Sequence, residues 1–294
     1  MKKKIIGLLI LLVIYIISFF AGLGSFLLLP NDMNIIFKIL IADVVATIVI
    51  WIFGVILKTA SIYDPYWSIQ TPVIFLALMI YYGNYNVGTI IFFIFIMFWA
   101  IRLTGNFVIT FNDITYIDWR YVNIKKQTGK LYQIVNLLGI NMMPTLLVFL
   151  ASLPAFYYVI NGNEFDALNI IGLFIMGFAT IIELISDLNM HKFQEIRTSK
   201  SEIIRVGLWK YSRHPNYFGE ILFWYGVLLV FLIGNMDYWY VMFGALSINL
   251  LFMFISIPLA EKKLITYKDG YLEYQKTTRR LIPLPKLIKR SDNE

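Results

Sequence analysis

The sequence predicts an all-α fold: a polytopic transmembrane helical bundle of about eight spans, within a range of seven to ten, with both termini cytoplasmic. Three observations predict it: a composition poor in charge, a series of apolar stretches of spanning length, and a one-sided distribution of basic residues. Of the 294 residues, 59% are hydrophobic, 17% aromatic and 15% charged, and the mean hydropathy is +0.72. A soluble domain carries roughly a quarter charged residues. A chain with so few must turn much of its surface to lipid.

The apolar stretches run over about 5–29, 39–57, 68–82, 87–109, 134–160, 168–190, 216–234 and 239–258. The third is short and interrupted by Pro72, and reads as a short or kinked span rather than a re-entrant segment. The first follows Met1-Lys2-Lys3-Lys4 like a signal peptide. Its apolar run is too long for a cleaved core, so a retained span is expected, although Ala21-Gly22-Leu23-Gly24-Ser25 has the small residues of a cleavage site.

With Lys2–Lys4 placed inside, the inside loops are about 58–67, 110–133 and 191–215, plus the tail from 259. Of 25 Lys and Arg, Lys38 falls outside and Arg102 well within a span, which leaves 23 at the inside face. Asp32, Glu164, Asp166 and Asp237 fall outside. That is the positive-inside pattern, and it suits a multi-pass protein of a bacterial-type inner membrane. The net charge of +7 is explained by topology and suits an anionic cofactor as well, so membrane lipids are expected partners and nucleic acid is not. The tail segment 281–286 reads as lying along the membrane surface. One membrane domain is expected over 1–294, with 1–60 as N-terminal spans. The oligomeric state is not legible.

The absence of cysteine excludes disulfides, thiolate nucleophiles, zinc-thiolate sites and iron–sulfur clusters. Two histidines, His191 and His214, are too few for a membrane di-iron enzyme, and no metal is expected. No transporter-like internal repeat is visible.

Chemistry is sought among ionisable residues near or within spans, because these are costly to place in lipid. They are Asp43, Asp64, Arg102, Glu183, Asp187, His191 and Glu220. Glu183, Asp187 and His191 repeat every four residues and so share a helical face. That face suits a cation, ribose hydroxyls or a salt-bridge ladder. Asp118-Trp119-Arg120-Tyr121 suits a nucleotide's base and phosphates, or equally headgroup contact. The densest segment is Gly207-Leu-Trp-Lys-Tyr-Ser-Arg213-His214-Pro215-Asn216-Tyr217-Phe-Gly-Glu220. Pro215 suits the first helical turn. Arg213 and His214 then sit at the positive end of a helix dipole, which favours an anion. An interfacial anchor would not need Asn216 and Glu220 directed into the membrane, so an anionic cofactor is the preferred reading.

This segment resembles the signature of the steroid 5-alpha-reductase-like membrane family, and in particular an uncharacterised bacterial branch of it. Asp64-Pro-x-Trp67, Trp99-x-x-Arg102-Leu103, Asp118-Trp-Arg-Tyr121, Ser152-Leu-Pro154, Glu183-x-x-x-Asp187, Tyr274-Gln275 and Ile282-Pro283 extend the resemblance in order over about 60–285, which marks 61–285 as the catalytic region. It implies NADPH-dependent reduction of a carbon–carbon double bond conjugated to a carbonyl, in a lipid-like substrate. Asp187, Asn216, Tyr217, Glu220 and Tyr267 would bind the cofactor, with Arg120, Arg213 and His214 on its phosphates or ribose. Asp64, Gln70 and Arg102 would form the catalytic set. The family's Gln-Glu pair is Gln70-Thr71 here, and its tyrosine three residues before the membrane arginine is Trp99. Both proton-handling positions are altered, so a steroid is not the expected substrate and another acid is needed, with Asp64, Tyr63 and Tyr66 nearest in sequence. The segment also resembles isoprenylcysteine carboxyl and phospholipid methyltransferases, as does Pro258-Leu-Ala-Glu261-Lys-Lys. This implies, as the alternative, S-adenosylmethionine-dependent methylation of a lipid or small thiol. A transporter or structural membrane protein, with charges that only hold helices together, is the third reading.

Overall fold

A computed structural model describes residues 2–285. Among these, the regular structure is helical, and the only β-type pairing is one isolated parallel bridge between Ser212 and Arg279. Seven helical runs are long and apolar enough to cross a membrane, and the chain is an integral membrane protein. Each of the eight expected stretches lies in a helical run. The third is Tyr66–Tyr82, whose 17 residues span about 25 Å at 1.5 Å per residue. The chain forms two compact units, one up to Glu164 and one from Phe165.

The first unit holds α1 (Lys2–Leu28), α2 (Ile35–Ile56), α3 (Tyr66–Tyr82), α4 (Val87–Thr110), α5 (Trp119–Thr128), α6 (Tyr132–Val135) and α7 (Met143–Ile160). A π-helical stretch, Asn136–Met142, leads into α7. α1 packs on α2 at small residues: a Cβ on Gly22 would stand 2.8 Å from the Ala42 carbonyl oxygen. α3 stops at Gly83, whose φ of 61° is a backbone state that side chains with a Cβ disfavour. Asn86 starts α4, its Oδ1 accepting from Thr89 N at 2.8 Å, as a capping side chain does for an orphan amide. The segment 110–133, read as a loop, contains α5 instead. Asp118 caps it by accepting from Arg120 N at 2.8 Å, and that local signal was carried by the same Asp-Trp-Arg-Tyr motif.

The second unit holds α8 (Asn169–Ile196), α9 (Pro215–Leu232), α10 (Met242–Leu251), α11 (Ile257–Tyr267) and α12 (Tyr271–Thr277), with a π-helical turn Phe252–Ser256 between α10 and α11. α8 outruns its predicted end by six residues. It buries Gly172, Met176, Ala179, Glu183 and Asp187 and exposes Phe174, Phe178, Ile181 and Ile185, an apolar outer face fit for lipid. α9 lies against the buried face through glycines. A Cβ on Gly172 would stand 2.5 Å from Val230 N, and one on Gly226 would stand 2.9 Å from Met176 N. Backbones this close are what small residues permit between membrane helices. The tail is fastened at Leu281, whose carbonyl accepts from Ser212 Oγ at 2.6 Å. The last residue of the expected surface segment, Lys286, and the C-terminus lie outside the described residues.

Candidate functional site

In the second unit the segment leading into α9 is built as its spacing predicts. Pro215 is the first residue of the helix and His214 precedes it. Trp209 is locked beneath by its Nε1, which donates to the Ser186 carbonyl at 3.0 Å. Tyr274 OH donates to the carbonyls of Trp209 and Ser212, which keeps the turn Gly207–Lys210 in place. Burial pushes the Tyr274 phenol up, so that hydroxyl stays a donor.

Arg213 and His214 converge on one carboxylate that the cofactor assignment did not include. Arg213 Nε donates to Glu261 Oε1 at 2.7 Å and His214 Nε2 donates to the same oxygen at 3.2 Å. Gln275 Nε2 donates to Glu261 Oε2 at 3.1 Å. Arg213 Nη1 donates to the carbonyls of Gln275 at 2.9 Å and Thr278 at 2.6 Å. All four polar partners are tied down, and Arg213, His214 and Glu261 are buried. Burial holds the His214 imidazole below its usual value, opposed by Glu261. The His214 ring also stacks on Tyr217, centroids 5.2 Å apart and 9° from parallel. The guanidinium therefore acts as a clamp on the chain after α12. The signal for this clamp in the sequence was Glu261 with Gln275, read there as family marks and not as partners of Arg213.

The other expected cofactor residues lie nearby in this unit. Asn216 and Tyr217 are half-buried on the first turn of α9, and Glu220 is buried one turn further on. Glu220 Oε1 accepts from Trp224 Nε1 at 2.9 Å. Glu183 and Asp187 are buried on α8, and Gly219 is where α9 makes room: a Cβ there would stand 2.3 Å from Glu183 Cγ. Tyr267 is exposed and lines an open cleft of about 280 Å³ with Arg197, Lys200 and Lys263. Lys268 adjoins it, its ammonium lowered by burial and by Arg197. A cleft lined by cations and a phenol suits an anion such as phosphate.

In the first unit, Asp64 and Arg120 come together around Tyr121. Tyr121 OH donates to Asp64 Oδ1, and the Arg120 guanidinium lies 5.4 Å from the Tyr121 ring centre. Arg120 itself is paired with Asp118, Nε to Oδ1 at 2.8 Å, with the arginine side chain 44% exposed. Burial pushes the Asp64 carboxyl up to about 7, against the opposing pull of Arg120 and Tyr121. Gln70 is buried, its Nε2 donating to the Thr145 carbonyl at 3.0 Å. Thr71, at the first altered position, has its hydroxyl 2.7 Å from Ser152 Oγ. Trp99, at the second, is fully buried with its ring 6.1 Å from that of Trp67. Arg102 is half-buried on α4.

Among the described residues no group of three or more His, Cys, Asp or Glu is arranged to hold a metal ion. The family described as "Protein of unknown function (DUF1295)" matches residues 50–278, a range that takes in both clusters. An uncharacterised protein of Schizosaccharomyces pombe is 26% identical over 205 residues, 60% of this chain and 58% of the yeast protein. The match thus spans little more than half of that relative. No solved structure matches the chain.

Proposed function

The chain belongs to the DUF1295 family, and from its residues we propose that it is a membrane-embedded, NADPH-dependent reductase of a carbon–carbon double bond conjugated to a carbonyl in a lipid-like substrate. The observation that carries this reading is the setting of α9. Its first turn presents Asn216 and Tyr217, its second buries Glu220, and an anion-compatible cleft with Tyr267 opens in the same unit. The donor set fits a phosphorylated dinucleotide. Cations of the cleft suit phosphates, while carboxylates and amides such as Asp187, Glu220 and Asn216 suit ribose hydroxyls and the nicotinamide amide. When bound, the cofactor supplies hydride to the β carbon of the substrate. The chain's own part is to orient that group, keep water away and supply a proton to the carbonyl side. Arg213 and His214 serve by holding the entry to α9 rigid, because their donors already meet Glu261, Gln275 and Thr278.

The same engagement weighs against the methyltransferase alternative. Both oxygens of Glu261 accept bonds from side chains of this chain, so the residue that favoured S-adenosylmethionine acts as a structural anion.

The test is thermal unfolding of the detergent-purified protein with NADPH, NADP, S-adenosylmethionine and S-adenosylhomocysteine. A ligand that binds only the folded state at 100 times its dissociation constant adds roughly 2.7 kcal/mol. A shift with NADPH, lost in Asn216→Ala and Glu220→Gln variants that still fold, is expected. A shift with S-adenosylmethionine alone establishes the methyltransferase reading, and no shift with any of the four returns the chain to a transport or structural role.

A further inference from the structure

α1 and α2 touch closely at one end and part at the other. Gly22 meets the Ala42 carbonyl, whereas near the start of α1 the small residue is Gly7, which faces Phe111: a Cβ there would stand 2.8 Å from Phe111 Cε1. Between the first turns of α1 and the last turns of α2 an open groove of about 410 Å³ remains. Ile6, Leu9 and Val13 form one wall, and Phe53, Ile56 and Leu57 the other. Such walls, on helices long enough to span a membrane, suit a hydrocarbon chain.

One end of the groove is basic. Lys2, Ile6, Leu9 and Val13 follow one another at steps of three or four residues and so share a face of α1. Lys58 directly follows Leu57, and both lysines are exposed. Lys4 is engaged elsewhere, its Nζ donating to the Ile109 carbonyl at 3.0 Å. Lysines at helix ends lay their stems on apolar surface and carry the ammonium to the aqueous boundary.

Lys58 holds an unusual backbone. Its φ of 57° is the one positive value outside glycine among the described residues. Thr59 N donates to the Gly54 carbonyl at 2.9 Å and Lys58 N to the Val55 carbonyl at 3.2 Å. These paired bonds close a helix through a left-handed residue, ordinarily glycine. The turn is fixed because the chain beyond it returns into the protein. Ser61–Tyr63 is buried, Tyr15 OH donates to the Ile62 carbonyl at 2.7 Å, and Tyr66 OH donates to Asp43 Oδ1 at 2.7 Å. The fold imposes the conformation, and glycine would take it with less strain than lysine does. A residue kept in a disfavoured state at the mouth of a groove points to a role for its side chain.

We propose that the groove between α1 and α2 is a site for an anionic phospholipid, with one acyl chain along Ile6, Leu9, Val13 and Ile56 and the phosphate at Lys2 and Lys58. Charge selects this occupant. The apolar walls take the chain of any lipid, whereas two ammonium groups at the mouth favour a headgroup of net negative charge. A second copy of this chain is a poorer fit, because a two-fold pairing sets the same face, with the same lysines, against itself. The site lies within the first unit and does not rest on the reductase reading.

Native mass spectrometry of the full chain in detergent tests this, with phosphatidylglycerol and phosphatidylcholine of the same acyl chains as probes. Wild type is expected to prefer phosphatidylglycerol by roughly fivefold for each lysine at the headgroup. Lys58→Gly is expected to lose its share of that preference while melting, without lipid, no lower than wild type. Lys58→Asn, whose side chain tolerates a left-handed residue, repeats the measurement, so the result does not hang on one variant folding. Leu9→Trp fills the groove, leaves both lysines and is expected to weaken both lipids. An unchanged preference in both Lys58 variants overturns the headgroup contact, and unchanged binding in Leu9→Trp overturns the groove as the seat of the chain. Glycerol phosphate separates the two sources of the anion: displacement of phosphatidylglycerol at equal concentration makes this a site for soluble phosphates and overturns the lipid. A dimer of the wild type that Leu9→Trp dissolves gives the groove to a second copy and overturns it as well.

Discussion

The two units keep polar groups inside a membrane protein in different ways. The first spreads neutral hydroxyls and amides through its interior: Thr47, Thr145, Tyr63, Gln70, Thr71 and Ser152 bond one another or a backbone carbonyl. One carboxyl, Asp43, ends that network. The second packs α8 on α9 through glycines and closes a charged clamp at the start of α9, where Arg213 and His214 meet Glu261. The difference teaches which failures each unit can absorb. A network of neutral bonds loses about one bond's worth at a time, whereas a clamp that loses one ion leaves the other buried and uncompensated.

The largest effect is therefore expected from Glu261→Ala. Removing one partner of a buried pair costs about 3–5 kcal/mol, measured as loss of stability in denaturant unfolding in detergent. A loss below 1 kcal/mol would make the clamp no stronger than the neutral network and erase the contrast. Gly172→Ala comes next. The new methyl would stand 2.5 Å from Val230 N and 2.8 Å from the Gly226 carbonyl oxygen, and overpacking of this kind costs about 1–3 kcal/mol; Gly24→Ala, with nothing within 4 Å of the added atom, is the control, and equal melting curves for the two would refute the close packing of α8 on α9. In the first unit Thr145→Val should cost about 1–2 kcal/mol, since two hydroxyls lose a partner. The double variant with Thr47→Val should lose less than the sum of the singles, and strict additivity would mean that the hydroxyls do not act as a network.

The smallest effect is a pH dependence. Burial raises the folded carboxyl of Asp64 to about 7 from an ordinary value near 4. Between those values the folded chain holds a proton that the unfolded chain has lost, so the contribution of Asp64 to stability declines as pH rises through that window. Melting temperatures of wild type should fall relative to Asp64→Asn between pH 5 and 8, and parallel curves would show that Asp64 titrates as an exposed carboxyl does.

The fold was legible because its signals are long and redundant. Eight apolar runs mark the helices, and even the short α3 announces itself, since Tyr66–Tyr82 needs only a capping glycine to end it. The candidate site was legible only in part. Arg213 and His214 stand out as a motif, yet a motif names residues without naming their partners. Their partners, Glu261, Gln275 and Thr278, lie 47 to 65 residues downstream, a separation that local spacing does not encode. Asp118-Trp-Arg-Tyr121 reads as a loop cluster for a nucleotide or equally for headgroups, because its capping role depends on α5, which is too polar to register as an apolar run. Asp43 was visible as a charge within a span, but its tie to Tyr66 arises from a returning loop that no periodicity predicts.

The clamp at Arg213 has a consequence for the order in which the chain is made. Its partners in Glu261, Gln275, Thr278 and Arg279 leave the ribosome well after α9 has entered the membrane. Until then the guanidinium has water or lipid headgroups for company, and the entry to α9 is unfastened. The most recognisable stretch of the sequence is thus among the last parts of the second unit to take its final form. A chain released before residue 261 would carry that stretch intact and lack every one of these partners.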